Sequence, residues 1–166
     1  MRRIPLVNRR GEITAHAKVD SKDFAWLSLY RWRIETKPNR KPSYAVTSYG
    51  RRKDGYTYRY MHRMVLGLRA GCKIQSDHIN GDGLDNRRKN LRRCTRSENM
   101  HNRGKTSINT SGFKGVYWCG HKKRWFAKAQ VDKRQHYFGY FDSAKEASVA
   151  YASGTKSIMG EFANVG

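Results

Sequence analysis

A run of small and polar residues, RGKTSINTS, interrupts the chain between Arg103 and Ser111. It has no hydrophobic periodicity, and such a composition is typical of a flexible linker. A chain of 166 residues can form one ordinary domain or two to three small ones, and the linker favours small, separately folded units. We therefore expect a β-rich segment at residues 1–60, a compact unit at 61–102, a linker at 103–110 and a further domain at 111–166.

The charge of the chain indicates the class of its partner. The sequence has 35 Lys and Arg against 13 Asp and Glu, which gives a formal net charge of +22 at pH 7. A charge of this size favours a polyanionic partner, and nucleic acid is the first candidate. A membrane surface is the main rival, but the sequence has neither a long apolar run nor a basic amphipathic helix with an apolar face. We expect no membrane partner.

The N-terminus and the cysteines indicate a reducing compartment. The first residues, MRRIPLVNRRGEI, lack the apolar stretch of a secretory signal, so we expect the protein in the cytoplasm. Cys72, Cys94 and Cys119 are odd in number and far apart, which excludes a disulfide framework and a structural zinc knuckle. Hydrophobic residues make up 37% of the chain, so it can still form a folded core.

The first sixty residues have the pattern of short strands and turns. One helical turn is predicted at residues 20–27, where Phe24 and Leu27 share a face. Further on, side chains alternate with period two, as in a half-buried strand; the aromatic positions are Tyr56, Tyr58, Tyr60 and His62. We favour a core role for these tyrosines over base stacking, because such alternation is common in sheets.

The segment around Asp77 and His78 carries groups suited to phosphodiester hydrolysis. This reaction needs a base for water and a cation that offsets charge on the phosphate. Adjacent side chains on a strand point to opposite sides, so a bend is needed before both can serve one site. Downstream, Leu91–Cys94 is predicted as a second strand, and residues 95–98 form a capping box that opens a helix with Asn99 in its first turn. Carboxylate and amide oxygens suit Mg²⁺, or Mn²⁺, better than zinc.

The ordered residues DHINGDGLDNRRKNLR and TRSENMHN resemble the HNH nuclease family, in its phage homing-endonuclease branch. The resemblance implies an α+β fold of the ββα-metal type, with His78 as general base and Asp77 and Asn99 as ligands of one divalent ion. Asn90, or as a second choice Asn86, would tie the hairpin loop together. Many family members have His where this chain has Asn99, and His101 is not the matching residue. The stretch from His62 to Val65 resembles HRxV in phage members, which makes His62 a structural or phosphate-contacting residue.

Basic side chains surround this motif and would attract phosphate. The residues we expect to contact DNA here are Arg63, Arg87, Arg88, Arg92, Arg93 and Arg96.

Residues 111 to about 163 are predicted to form three short strands followed by a helix that runs from about Ser143, its cap, to Ser153. This segment resembles the Apetala-two, or ethylene-response-factor, DNA-binding domain, which implies a sheet lying in a major groove. The expected DNA contacts are Tyr117, Trp118, Arg124, Trp125, Lys128, Gln130, Arg134 and Tyr137. Plant members have arginines where Tyr117 and Gln130 stand, so the preferred DNA sequence does not transfer. A core role for Trp125 and Tyr137 is equally open.

Together these features predict a monomeric HNH homing endonuclease that hydrolyses double-stranded DNA, either on both strands or as a nickase, with its C-terminal domain as the reader of sequence. A regulator that binds DNA without cutting it is the alternative, and the presence of Asp77, His78 and Asn99 argues against it. An RNA-binding protein of ribosomal type would explain the charge but not the order of these three residues.

Overall fold

A computed structural model describes residues 1–37, 40–52, 55–102, 104 and 109–164 of the protein. Packing divides the chain into two units, Met1–Thr95 and Arg96–Gly166. The described residues form small antiparallel sheets and a few helices, which is the mixed class that the sequence predicts. No helix in the described ranges is long and apolar enough to cross a membrane.

The first unit consists of two hairpins, a three-stranded sheet and two short helices. Its strands are β1 (Arg2–Val7), β2 (Ile13–Val19), β3 (Arg33–Lys37), β4 (Arg40–Arg52), β5 (Gly55–Tyr60), β6 (Gln75–His78) and β7 (Leu91–Cys94), and its helices are α1 (Ser21–Leu27) and α2 (Met61–Val65). Strand β1 pairs with β2, β6 pairs with β7, and the central sheet has the order β3-β4-β5. All of these pairings are antiparallel.

One hydrophobic cluster holds the first unit together. Its buried members come from both hairpins, both helices and the central sheet: Ile4, Leu6, Ala17, Val19, Leu27, Trp32, Ala45, Met61, Val65 and Leu91. The predicted helical turn is confirmed as α1, and Phe24 and Leu27 both pack on this cluster. The Trp32 indole donates to the Leu27 carbonyl oxygen at 2.8 Å, so the largest buried side chain also has its polar group satisfied.

The predicted alternation past Tyr60 is wrong at His62. Strand β5 ends at Tyr60, and His62 lies in helix α2 instead. Met61 and Val65 are four residues apart and both buried, so helical spacing decides this segment. The tyrosines of β5 divide: Tyr58 is exposed, whereas Tyr60 is half-buried and donates from its hydroxyl to Glu35 at 2.9 Å. The side chain of Tyr56 lies outside the described part.

The second unit contains a three-stranded sheet covered on one face by a long helix. Its elements are α3 (Arg96–His101), β8 (Val116–Cys119), β9 (Arg124–Val131), β10 (Arg134–Phe141) and α4 (Ala144–Met159). The sheet has the order β10-β9-β8, and its three strands are confirmed as predicted. Asp132 and Lys133 form the β9–β10 turn, with φ of 47° and 67°. Val116, Ala127, Ala129, Ala147 and Tyr151 form its core.

Helix α4 begins as predicted but ends later. The Ser143 hydroxyl accepts the Glu146 amide N–H at 3.1 Å, which confirms the N-cap. The predicted end at Ser153 is wrong, because the helix continues through Gly154 to Met159. Gly154 lies inside this helix, where its missing side chain leaves room for the Phe138 ring.

The predicted linker falls largely outside the described residues. Of residues 103–110, the structure describes 104, 109 and 110. The two packed units meet in sequence between Thr95 and Arg96, ahead of this linker. The predicted domain limits at 60, 102 and 111 remain predictions.

Candidate active site and sheet surface

The β6–β7 hairpin places Asp77 and His78 at the end of a short strand. Asp77 stands opposite Arg92 in the register, and His78 stands opposite Leu91. Both side chains are buried, with 6% and 4% of their surface exposed. The predicted strand Leu91–Cys94 is confirmed as the partner strand. The predicted carboxylate and imidazole therefore lie in a single buried hairpin.

Asp77 forms an ion pair with Arg92. The Arg92 Nε and Nη2 atoms lie 2.9 and 2.8 Å from Asp77 Oδ2, and both side chains are at least nine-tenths buried. A carboxylate buried at this depth needs such a partner to remain charged. Arg92, which we expected to contact DNA, is a partner of Asp77 in the structure, and its DNA contact stays a prediction.

His78 belongs to a compact group of rings. The His62 ring centroid lies 4.9 Å from that of His78, edge to face, and Tyr44 contacts both imidazoles at 5.1 and 5.8 Å. Burial lowers the pKa of His78, whereas a hydrogen bond with Asn86 and the charges of nearby aspartates, Asp77 first, act to raise it. A neutral imidazole is the form of histidine that can accept a proton from water.

His62 supports this ring group from α2. Its side chain is 7% exposed, and burial, followed by the charges of His78 and Arg63, lowers its pKa to about 3. Of the two roles expected for His62, the structure favours the structural one, because phosphate would have little access to a side chain this deeply buried. The sequence pattern did not single out Tyr44, because its contact with His78 joins residues that are distant in the chain.

The loop between the two strands is held by polar side chains. Asn90 is buried; its Oδ1 accepts the Asn80 amide N–H at 3.0 Å, and its Nδ2 donates to the Asp85 carbonyl oxygen at 2.8 Å. Asn86, the second choice for this role, is fully buried beside His78. Gly83 is required in the loop, because a Cβ there would overlap the Ser43 carbonyl oxygen and the Tyr44 ring.

Most arginines of the motif have partners inside the first unit. Arg88 holds the buried Asp23 carboxylate through two contacts of 2.8 Å, and Arg87 holds the buried Asp85. These guanidinium groups are the first cause of the lowered pKa of each aspartate. Arg63 and Arg93 donate to backbone carbonyl oxygens, at 3.1 Å for Ile74 and 2.8 Å for Leu66. The DNA contacts predicted for these arginines stay predictions. Several of their guanidinium N–H groups donate to carboxylates and backbone carbonyl oxygens of the first unit.

Asn99 lies in α3, which belongs to the second unit. The helix begins at Arg96 directly after Thr95, as the capping box predicts, and Asn99 is half-buried within it. Within that unit Ser97 donates to Asp132 at 2.9 Å, and Asn164 donates to the Asn102 carbonyl oxygen at 2.7 Å. Among the described residues no three His, Cys, Asp or Glu side chains form a metal-binding group. A metal site made of one carboxylate and one amide falls outside this criterion, because it has only one side chain of these four types.

The sheet of the second unit separates the predicted DNA contacts onto two faces. Tyr117 pairs with Phe126, and Lys128 pairs with Tyr137, so these four side chains lie on the face away from α4. Trp118 pairs with Trp125, which packs on the core cluster on the helix side. Gln130 is exposed at the end of β9, as are Arg124 and Arg134 at the strand ends. Arg124 also pairs with the exposed Asp142 at 2.8 Å.

Comparison with known proteins identifies the segment that contains the hairpin. Residues 59–101 match the model of a family described as HNH endonuclease, and this stretch includes Asp77, His78, Asn90 and Asn99. Protein 3.8 of Escherichia phage T7 is 31% identical to the chain over 87 residues, which are 52% of this chain and 71% of that protein. No solved structure matches the chain significantly. The chain therefore belongs to the family of phage T7 Protein 3.8 and carries an HNH endonuclease domain at residues 59–101.

Proposed function

We propose that the protein is a metal-dependent endonuclease of the HNH homing type that hydrolyses phosphodiester bonds of double-stranded DNA. The observation that carries the proposal is the β6–β7 hairpin, in which the buried His78, whose pKa burial lowers, lies next to the buried carboxylate of Asp77, paired with Arg92, inside an HNH domain. The net charge of +22 supports DNA as the substrate. A neutral imidazole and a carboxylate on neighbouring residues are the groups that phosphodiester hydrolysis needs.

His78 is the proposed general base. Its imidazole takes a proton from a water molecule, and the resulting hydroxide attacks phosphorus while the bond to the 3′ oxygen breaks. Tyr44 and His62 pack against the imidazole and restrict its orientation. Burial by these rings keeps His78 in the neutral form that can accept the proton.

Asp77 and Asn99 are the proposed ligands of one Mg²⁺ or Mn²⁺ ion, in a ββα-metal unit made of β6, β7 and α3. Their carboxylate and amide oxygens are the donor types that these hard cations prefer. A bound ion would offset the negative charge on the scissile phosphate and on the leaving oxygen. Arg92 fixes the Asp77 carboxylate through one of its two oxygens in the structure described.

The second unit is the proposed DNA reader. The likeness of residues 111–163 to ethylene-response-factor domains and the exposed basic residues of its sheet, among them Arg124 and Arg134, support this role. Arg96, exposed at the start of α3, is a further proposed phosphate contact. If the second unit recognises the DNA sequence, the HNH domain would hydrolyse DNA with little sequence preference of its own.

Cleavage of supercoiled plasmid in Mg²⁺ tests the proposal. We expect open-circular product with the parent protein, no cleavage in EDTA, and a rate at least about a hundredfold lower for His78→Ala. His16→Ala is the matched control, because His16 is an exposed histidine of the same unit. A His78→Ala protein that cleaves at the parent rate would contradict the assignment. Duplex binding without any metal-dependent cleavage would favour the non-catalytic regulator instead.

Asn99→Ala and Asp77→Asn test the metal ligands separately from the base. Both variants should need a higher Mg²⁺ concentration for half-maximal cleavage, whereas His78→Ala should lower the rate at every Mg²⁺ concentration. An unchanged Mg²⁺ dependence for Asn99→Ala would show that Asn99 is not a ligand of the metal ion.

A further inference from the structure

Four aromatic side chains form a continuous patch on the open face of the second unit's sheet. We call Tyr117, Phe126, Tyr137 and Tyr140 the aromatic face. Phe126 lies at the centre, with ring centroids 5.5 Å from Tyr117, 6.5 Å from Tyr137 and 5.8 Å from Tyr140. The three tyrosines are 46%, 62% and 41% exposed, so much of their ring surface is open to a ligand.

The core does not require these rings. The opposite face of the sheet already packs Val116, Ala127 and Ala129 against α4. Strand geometry sends alternate side chains to the other side, where small polar residues would suffice for solubility. Contiguous exposed apolar surface on a folded domain is typical of a binding site.

Positive charge lies within the aromatic face. The Lys128 Nζ atom is 5.4 Å from the Tyr117 ring centroid, 5.8 Å from Phe126 and 5.9 Å from Tyr137. The Lys122 Nζ atom lies 4.0 Å from the Tyr140 ring centroid. Open rings with ammonium groups among them are the combination that binds bases by stacking and phosphates by charge.

The chemistry of the face favours unpaired bases over a duplex groove. Readout in the major groove depends on side chains that hydrogen-bond to base edges, and Arg, Asn and Gln are the usual ones. The centre of this face has rings instead, and Gln135 accepts the Tyr137 hydroxyl at 2.7 Å. In a duplex each base is covered by its stacked neighbours, so an exposed ring can stack only on a base that has left the helix.

We propose that the aromatic face binds single-stranded DNA, with bases stacked on Tyr117 and Tyr137 and a phosphate near Lys128. The inference rests on the proposed function for its choice of DNA as the ligand. It assigns the aromatic face to an opened strand, so reading of duplex sequence by the second unit would use its other exposed residues.

Binding of labelled oligonucleotides to the full chain in EDTA tests this inference. The ligands are one mixed-sequence DNA strand, the same strand annealed to its complement, and RNA of that sequence. The parent should bind both the single DNA strand and the duplex, and it should bind the single DNA strand more tightly than the RNA. Tyr117→Leu and Tyr137→Leu should each weaken single-strand binding about tenfold and change duplex binding less than about twofold. Val149→Ala is the matched control, because Val149 is a 65% exposed apolar side chain of α4, which packs against the opposite face of the sheet, and it should bind as the parent does.

Lys128→Gln adds a readout of charge. It should reduce the slope of log affinity against log salt by about 0.7 for the single strand, whereas Lys128→Arg should keep the slope. Circular dichroism establishes that each variant is folded.

Two results would overturn the inference. One is parent protein that prefers RNA; the other is ring variants that bind the single strand as the parent does or that lose duplex binding to the same extent. Because binding is measured without metal, its outcome is independent of plasmid cleavage. If the protein fails to cleave but the ring variants lose single-strand binding, the proposed nuclease activity is wrong and the binding face stands.

Discussion

His62 is a buried imidazole whose charging opposes folding. Its pKa is lowered to about 3 by burial and by His78, whereas an unfolded histidine titrates near 6.5. Between these values the unfolded chain binds a proton that the folded chain does not, so stability is fully present above about pH 6.5 and falls as the pH decreases. His62 alone should contribute about 1.4 kcal/mol per pH unit to this fall.

Denaturant unfolding from pH 7 to pH 4 tests this prediction. His62→Phe fills a similar volume without a titrating group, so its free energy of unfolding should depend less steeply on pH than that of the parent. His16→Ala, an exposed change, should keep the parent slope. Equal slopes for the parent and His62→Phe would show that His62 is not held neutral.

Single residues of the site could be predicted from sequence only where the motif is local. Asp77 and His78 are adjacent, and their hairpin and the helix after it follow from strand patterns and a capping box within about twenty residues. The partners of the arginines could not be predicted. Arg88 contacts Asp23 across 65 positions of sequence, and that pairing depends on the tertiary packing of α1. Tyr44 beside His78 is a contact of the same kind.

At the level of elements, local signals predicted where helix α4 begins better than where it ends. Ser143 determines the start of α4 through a single hydrogen bond, and the local capping pattern in the sequence predicts this bond. The predicted end at Ser153 was wrong, because α4 continues through Gly154, whose missing side chain leaves room for Phe138 of β10. Helix α2 was not predicted, because the burial that Met61 and Val65 share depends on tertiary packing.

Gly154→Ala separates helix propensity from packing. Alanine should favour the helix by about 1 kcal/mol. Its Cβ would overlap the Phe138 ring, and overpacking of this kind costs about 1–3 kcal/mol or more when the ring cannot move freely. We therefore expect a net loss in the free energy of unfolding of the second unit, measured by chemical denaturation.

Two controls accompany this substitution. Ser153→Ala changes an exposed position of the same helix and should be neutral or slightly stabilising. Phe138→Leu combined with Gly154→Ala should recover part of the loss by making room. A Gly154→Ala protein as stable as Ser153→Ala would contradict the packing argument.

At the level of the whole molecule, charge and packing have separate consequences. The net charge of +22 indicates nucleic acid, but several of the arginines that suggest this partner are used in the fold, as Arg87, Arg88 and Arg92 show. The overall excess of cations still draws the chain toward DNA. The density of arginine in a motif is therefore a poor measure of how many phosphates that motif contacts.

One HNH segment in each chain leads to a prediction about the product of cleavage. A single proposed active site can cut one strand per binding event, so a monomer should convert supercoiled plasmid to open circles at a rate proportional to protein concentration. Mixing the parent with His78→Ala at constant total protein, below saturation of the DNA, distinguishes the alternatives. For a monomer the rate should fall in proportion to the parent fraction. A dimer that cuts both strands would instead give linear DNA and a rate for that product that falls with about the square of the fraction.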